Sequence, residues 1–126
     1  MQLTRHTDFA LRLLIHLARL EGGRATIAAV AEEQDIPRTH LMKIAAALAH
    51  AGFVAATRGR GGGVVLARPA EDIRIGDVVA AMEPDRALVN CSGCRVARRC
   101  TLPRQLDKAM GAFLAVLNEK TLAEIA

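Results

Sequence analysis

The chain contains no tryptophan, no tyrosine and only three phenylalanines in 126 residues. Its core must therefore come from Leu, Ile, Val, Ala and Met, and its many alanines favour closely packed helices. No apolar run approaches the roughly 20 residues that a membrane-spanning helix needs, so no membrane partner is expected. The opening stretch Met1-Gln2-Leu3-Thr4-Arg5-His6-Thr7-Asp8 lacks the apolar segment of a secretory signal. A cytoplasmic location is the expectation, and there thiols stay reduced. Cysteine is scarce as well. All three lie within Cys91-Ser92-Gly93-Cys94-Arg95-Val96-Ala97-Arg98-Arg99-Cys100. An odd number cannot pair off completely into disulfides. Three soft thiolates in one loop suit an iron–sulfur cluster or zinc, with a fourth ligand supplied from elsewhere.

What is present is one domain's length of chain, 52% hydrophobic, with a net charge of +4. The basic excess is mostly arginine, which suits phosphate recognition. Thr7 or Thr4 can cap a first helix. Phe9, Leu13, Leu14, Leu17 and Leu20 follow at helical spacing, and Gly22-Gly23 stops it. Thr26 caps a short second helix from Ile27 to Gln34. Asp35-Ile36-Pro37 forms a break, and a third helix runs from Arg38 to Ala49 with Leu41, Ile44, Ala45 and Leu48 on its apolar stripe. Two short helices joined by a brief turn predict a helix-turn-helix.

The β-branched runs 53–57 and 64–67 flank Arg58-Gly59-Arg60-Gly61-Gly62-Gly63, which predicts a β-hairpin with a glycine-rich tip. A hairpin directly after a helix-turn-helix is a winged helix. Ile73 to Met82 predicts a further helix between Pro69 and Pro84. The last helix begins at Pro103 and carries Leu106, Met110, Phe113 and Leu117, spaced by 4, 3 and 4 residues. Such spacing makes a narrow seam suited to a partner helix, and part of it also packs on its own domain. The expected fold is mainly α with a small β-hairpin. It comprises a winged helix-turn-helix over residues 1–68, a short helix and cysteine loop over 69–103, and a dimerisation helix over 104–126.

In a helix-turn-helix the first residues of the second helix meet base edges in the major groove. Here these are Arg38, Thr39 and His40, with Lys43 one turn on. Arg58 and Arg60 at the hairpin tip would enter a minor groove or hold phosphates. Each charge taken alone fits a solvated surface, and Arg38 and Thr39 also suit a helix start. The order of the parts and their short spacing point to double-stranded DNA as the partner.

A lone Cys-x-x-Cys would fit half a zinc site or a thiol–disulfide pair. A redox enzyme would place it at a helix start after a strand, would not need the third thiol, and would want a catalytic base beside it. A zinc site would have to draw on His6, because the loop holds no histidine. Arg95, Arg98 and Arg99 favour thiolates and offset the negative charge of a cluster. The dipole of the final helix acts the same way on Cys100. Free thiols in an exposed loop are the plainer alternative.

The chain resembles the iron–sulfur winged-helix transcriptional repressors, the family of NsrR, IscR and RirA. The likeness covers nearly the whole chain. It runs through Met1-Gln2-Leu3-Thr4, Thr7-Asp8-Phe9-Ala10-Leu11-Arg12, Arg38 to Ile44, Gly52-Phe53-Val54 and Arg58 to Gly62. It continues through Ile73 to Val79, Met82-Glu83-Pro84 and Leu88-Val89-Asn90-Cys91. Asp8, Asn90-Cys91 and Cys100-Thr101-Leu102 are most similar to the nitric-oxide-sensing branch, NsrR. The resemblance implies a homodimeric repressor on a palindromic operator, with nitric oxide as effector. It also implies a [4Fe–4S] cluster on Cys91, Cys94 and Cys100, with Asp8 of the other subunit as fourth ligand. By its own chemistry Asp8 equally suits the first turn of a helix. The gap between Cys91 and Cys94 is shorter than is usual in NsrR and IscR, and no histidine follows Cys100 as IscR-type ligation would need. A [2Fe–2S] cluster in an iron- or redox-responsive repressor is therefore the alternative. A thiol- or metal-handling enzyme is the alternative from another class.

Overall fold

Helix α1 (Arg5–Arg19) begins where the Thr4 hydroxyl accepts from the Thr7 amide at 3.3 Å. Thr4 is thus the cap, and Thr7, the other candidate, is fully buried. Ala10, Leu13, Leu14 and Leu17 are likewise shut off from solvent, at the spacing of one helical face. The computed structural model describes residues 1–59 and 62–126, so Arg60 lies outside the described residues.

Helix α2 (Ile27–Gln34) is capped by Thr26, and α3 (Arg38–His50) follows after a three-residue turn. Asp35 adopts a left-handed conformation, with φ 52°, which its short polar side chain tolerates better than most. The turn drives Ile36 into the core and Pro37 leads into α3. Leu41, Ile44 and Leu48 then face inward as the stripe predicts.

Strands β2 (Val54–Thr57) and β3 (Gly63–Leu66) form the expected antiparallel wing, with Thr57 opposite Gly63. The sheet has one strand more than expected. A strand β1 (Arg24–Ala25) pairs with β3 and gives the order β1-β3-β2. Two residues are too few to show strand periodicity, so the sequence betrays only the hairpin.

Helix α4 (Ile75–Met82) starts two residues later than its apolar run suggests. Ile73 and Arg74 stay extended because they pair with the end of the chain. The Leu122 amide donates to the Ile73 carbonyl at 2.8 Å, and Arg74 bridges Thr121. Helix α5 (Leu102–Leu117) packs on α4, and a short α6 (Leu122–Ile125) follows. The single helix expected over 104–126 therefore ends at Leu117, because Lys120 and Thr121 turn the chain back onto Ile73 and Arg74 before α6. Its Leu122 is fully buried in the core, and Thr121 with Glu124 closes a capping box.

The junction of α4 and α5 depends on Gly76. A Cβ there would run into the Leu114 carbonyl and the Asn118 side chain. Asn118 uses that closeness. Its side-chain oxygen accepts from the Asp77 amide at 3.0 Å and its Nδ2 donates to the Asp77 carboxylate at 2.9 Å. Its carbonyl accepts from Arg74 at 3.2 Å. Gly76→Ala should therefore destabilise the protein by about 1–3 kcal/mol through overpacking, despite the better helix propensity of alanine. Urea unfolding measures this, and an unchanged midpoint would show that α5 can shift at no cost.

Candidate nucleic-acid interface and cysteine loop

The inward face of α3 leaves an opposite face free. Arg38, Thr39 and Lys43 are exposed on it. Met42 shares that face at 54% exposure, a residue that the search for donors passes over. Its position outside the apolar stripe of Leu41, Ile44 and Leu48 is the signal that marks it. Arg58 is exposed at the start of the wing turn.

His40 behaves differently from its neighbours. It is half-buried, and its ring meets Phe9 of α1 edge to face, with centroids 5.3 Å apart. The Arg12 guanidinium lies 5.7 Å from the same Phe9 ring. Arg12 also grips Asp8 with one edge of its guanidinium, Nη2 to Oδ2 at 3.0 Å and Nε donating to Oδ1 at 3.3 Å. Asp8, Arg12, Phe9 and His40 thus form an unbroken line of contacts from the start of α1 to the start of α3. His16, which the sequence leaves without a role, lies 3.5 Å from Glu33 of α2.

The cysteines sit between α4 and α5 in chain that forms little regular structure beyond a turn of 3-10 helix at Ala97–Arg99. Cys91 and Cys94 are exposed and Cys100 is half-buried. A tight turn joins the first two. The Cys94 amide donates to the Cys91 carbonyl at 3.2 Å, and Gly93 supplies the positive φ of 72°. Asn90 steadies this turn by accepting from the Ser92 amide at 2.9 Å. Among the described residues, no three His, Cys, Asp or Glu side chains converge on a metal-sized site. The donor set itself suits a cluster: three free thiols in one loop, two exposed and one half-buried, with three arginines in the same segment. Holding a cluster would require the loop to close around it, and Asp8 to leave Arg12.

One contact ties this loop to α1. Glu83 is the last residue of α4's turn and the first of the segment leading to the cysteines. Its carboxylate accepts from the Thr4 amide at 2.8 Å and from the Thr4 hydroxyl at 3.2 Å. Sequence reasoning misses this pairing because the two residues lie 79 positions apart.

Helix α5 has no fully buried residue. Leu106, Met110 and Leu117 are half-buried and Phe113 is 37% exposed. Beside them runs a groove of about 440 Å³, with Leu3, Leu11, Val79, Leu88, Met110 and Phe113 in its walls.

Helix-turn-helix, wing and basic α3 face together define a transcriptional regulator. Residues 3–126 match the Rrf2 family, described as iron-dependent transcriptional regulators, and the chain belongs to that family. The oxidised form of Staphylococcus aureus CymR is similar to it, with 29% identity and a TM-score of 0.78 over 100% of this chain and 96% of that one. CymR of B. subtilis, described as its global cysteine regulator, has 25% identity and a TM-score of 0.75 over the same shares, 100% and 96%. IscR of T. potens has 24% identity and a TM-score of 0.78 over 99% of this chain and 85% of that one, a likeness of fold alone. Family and neighbours are regulators rather than enzymes. Among the described residues no helix is long and apolar enough to cross a membrane.

The Glu83 contact has a pH signature. Partial burial pushes its carboxyl up, but the Thr7 hydroxyl, the Thr4 amide and hydroxyl, and the charge of His6 outweigh that and hold it below its ordinary 4.5. A lowered acid pKa contributes stability above the unfolded value and loses it as pH falls through the folded one. Glu83→Gln should be less stable than the parent at neutral pH, and the gap should narrow below about pH 4.5. Thermal melts across that range measure it, and a gap independent of pH would rule out the carboxylate as the cause.

Proposed function

We propose that this chain is a homodimeric repressor that binds a palindromic operator and releases it in response to nitric oxide, sensed by an iron–sulfur cluster. The observation that carries the reading is the placement of three free thiols, two of them exposed, in a loop whose first residue, Glu83, is tied to the cap of α1, the helix packed on α3. The sequence resemblance supplies the choice of nitric oxide.

In this reading Arg38, Thr39, His40 and Lys43 meet base edges and phosphates in the major groove, and Met42 offers an apolar contact to a thymine methyl. Arg58 and Arg60 hold the flanking groove. Leu106, Met110, Phe113 and Leu117 pack on the same seam of a second copy, whose groove they help to fill. Two-fold symmetry then matches two operator half-sites. Cys91, Cys94 and Cys100 would hold a [4Fe–4S] cluster, with Asp8 of the second copy as its fourth ligand. Held there, the cluster would supply iron open to nitric oxide. Arg95, Arg98 and Arg99 balance its negative charge. As a ligand Asp8 would leave Arg12 and loosen the line through Phe9 to His40; without that role it would stay with Arg12, as in this structure. Because effector and operator share one equilibrium, bound DNA in turn protects the sensing loop.

A second reading is favoured by the exposure of Cys91 and Cys94 and by the likeness to CymR in its oxidised form. Here iron or oxidants set operator affinity, through a [2Fe–2S] cluster or the bare thiols. Purification without oxygen, followed by visible spectra and DNA affinity during addition of nitric oxide, separates the two. A chromophore that bleaches while affinity falls supports the first. A chromophore indifferent to nitric oxide, or none after reconstitution, sinks it.

Three substitutions sharpen the test. Arg38→Ala should weaken binding to a selected operator by about 1–3 kcal/mol and relax one base preference. Phe113→Asp should shift the protein to monomer in light scattering. Asp8→Ala should reduce the response to nitric oxide more than Glu71→Ala on the surface, and equal effects would remove Asp8 from the mechanism.

A further inference from the structure

The wing holds a feature that the DNA reading above does not use. Gly63, the first residue of β3, has no room for a side chain. A Cβ there would stand 2.6 Å from Thr57 Oγ1, 3.1 Å from Arg24 Nε and 3.2 Å from the Ala25 carbonyl. The Thr57 hydroxyl and the Arg24 guanidinium therefore close on the same notch from two strands. Arg24 belongs to the edge strand β1, opposite Val65. Its side chain runs along the sheet toward Gly63, the end from which the wing turn projects. The residue is exposed, and among the described residues no ion pair engages it.

Thr57 adds the second observation. Its Oγ1 is buried and has no hydrogen-bond partner among the described residues. A buried hydroxyl left so costs about 1–3 kcal/mol and calls for a reason. The Arg24 Nε–H is a donor close at hand. A guanidinium that gives this edge to Thr57 still presents its two terminal nitrogens as a planar fork, the shape that grips a phosphate.

Position points the same way. Arg58 follows Thr57 directly in the chain, at the start of the wing turn. Arg24 lies two residues before Thr26, the cap of α2. The first helix of a helix-turn-helix crosses the DNA backbone. The base of the wing and the start of that helix thus meet at Arg24.

We propose that Arg24 is a further DNA contact, holding one backbone phosphate at the base of the wing, with the unpartnered Thr57 hydroxyl available to accept from its Nε and Gly63 keeping the notch open. The proposal rests on the DNA-binding reading. A phosphate contact carries no base information, so it acts on every duplex alike.

The test is affinity for a mixed-sequence DNA duplex at several salt concentrations, with circular dichroism to confirm the fold of each variant. Arg24→Ala should lower affinity and reduce the slope of log affinity against log salt by about 0.9, the share of one phosphate. Arg24→Lys should keep most of the slope, as a point charge, while losing part of the affinity. Gly63→Ala, whose methyl crowds both Arg24 and Thr57, should move in the direction of Arg24→Ala. If the parent binds and Arg24→Ala shows its slope unchanged, this proposal falls and the DNA reading stands. If the parent binds no duplex at all, both fall together.

Discussion

The buried face of α1 is the constraint on which everything else in this molecule depends. Thr7, Ala10, Leu13, Leu14 and Leu17 are shut off from water together, and α3, α4, α6 and β3 all pack against this helix. Each fully buried leucine contributes about 1.5–3 kcal/mol relative to exposure. The rest of the core is aliphatic too, and of the three phenylalanines only Phe53 is buried in it. Phe9 and Phe113 stand at the margins instead. One links α1 to the start of α3, and the other sits on the open seam of α5.

Punctuation made much of this fold readable. Asp35-Ile36-Pro37 marks the turn of the helix-turn-helix, and the run of glycines marks the wing. Apolar spacing found the inward faces of α1 and α3. What escaped the sequence is long-range or very short. Strand β1 is two residues long and exists only because β3 offers it an edge. Helix α6 is held by backbone pairing with Ile73, far back in the chain. Gly76 reads as a weak point in a helix until α5 is seen lying over it.

The candidate site divides in the same way. Exposed basic residues at the start of α3 follow from the motif alone. The cysteine loop follows from composition, since no other part of the chain has a thiol. Neither view reveals how each part reaches α1. Glu83 with Thr4, and Phe9 with His40, join segments that no periodicity relates. These contacts show why α1 is more than a core helix. Its buried face anchors it, while its N-terminal turn is reached from the loop on one side and touches α3 on the other.

Magnitudes decide whether such a line can carry a signal. The Asp8–Arg12 pair is an exposed i,i+4 ion pair, with both side chains nearly half in solvent. Pairs of that kind are worth a few tenths of a kcal/mol, so Asp8 can exchange partners at small cost. An edge-to-face aromatic contact is worth about 0.5–1.5 kcal/mol. The buried face of α1 is held by several times more. In the proposed repressor, a change at the loop would leave the helix body in place and rearrange the Asp8, Arg12, Phe9 and His40 line on its surface. The energy available to that line is comparable with the 1–3 kcal/mol typical of coupling between two sites. A switch built as proposed would alter DNA affinity by a useful factor without unfolding the domain that makes the contact.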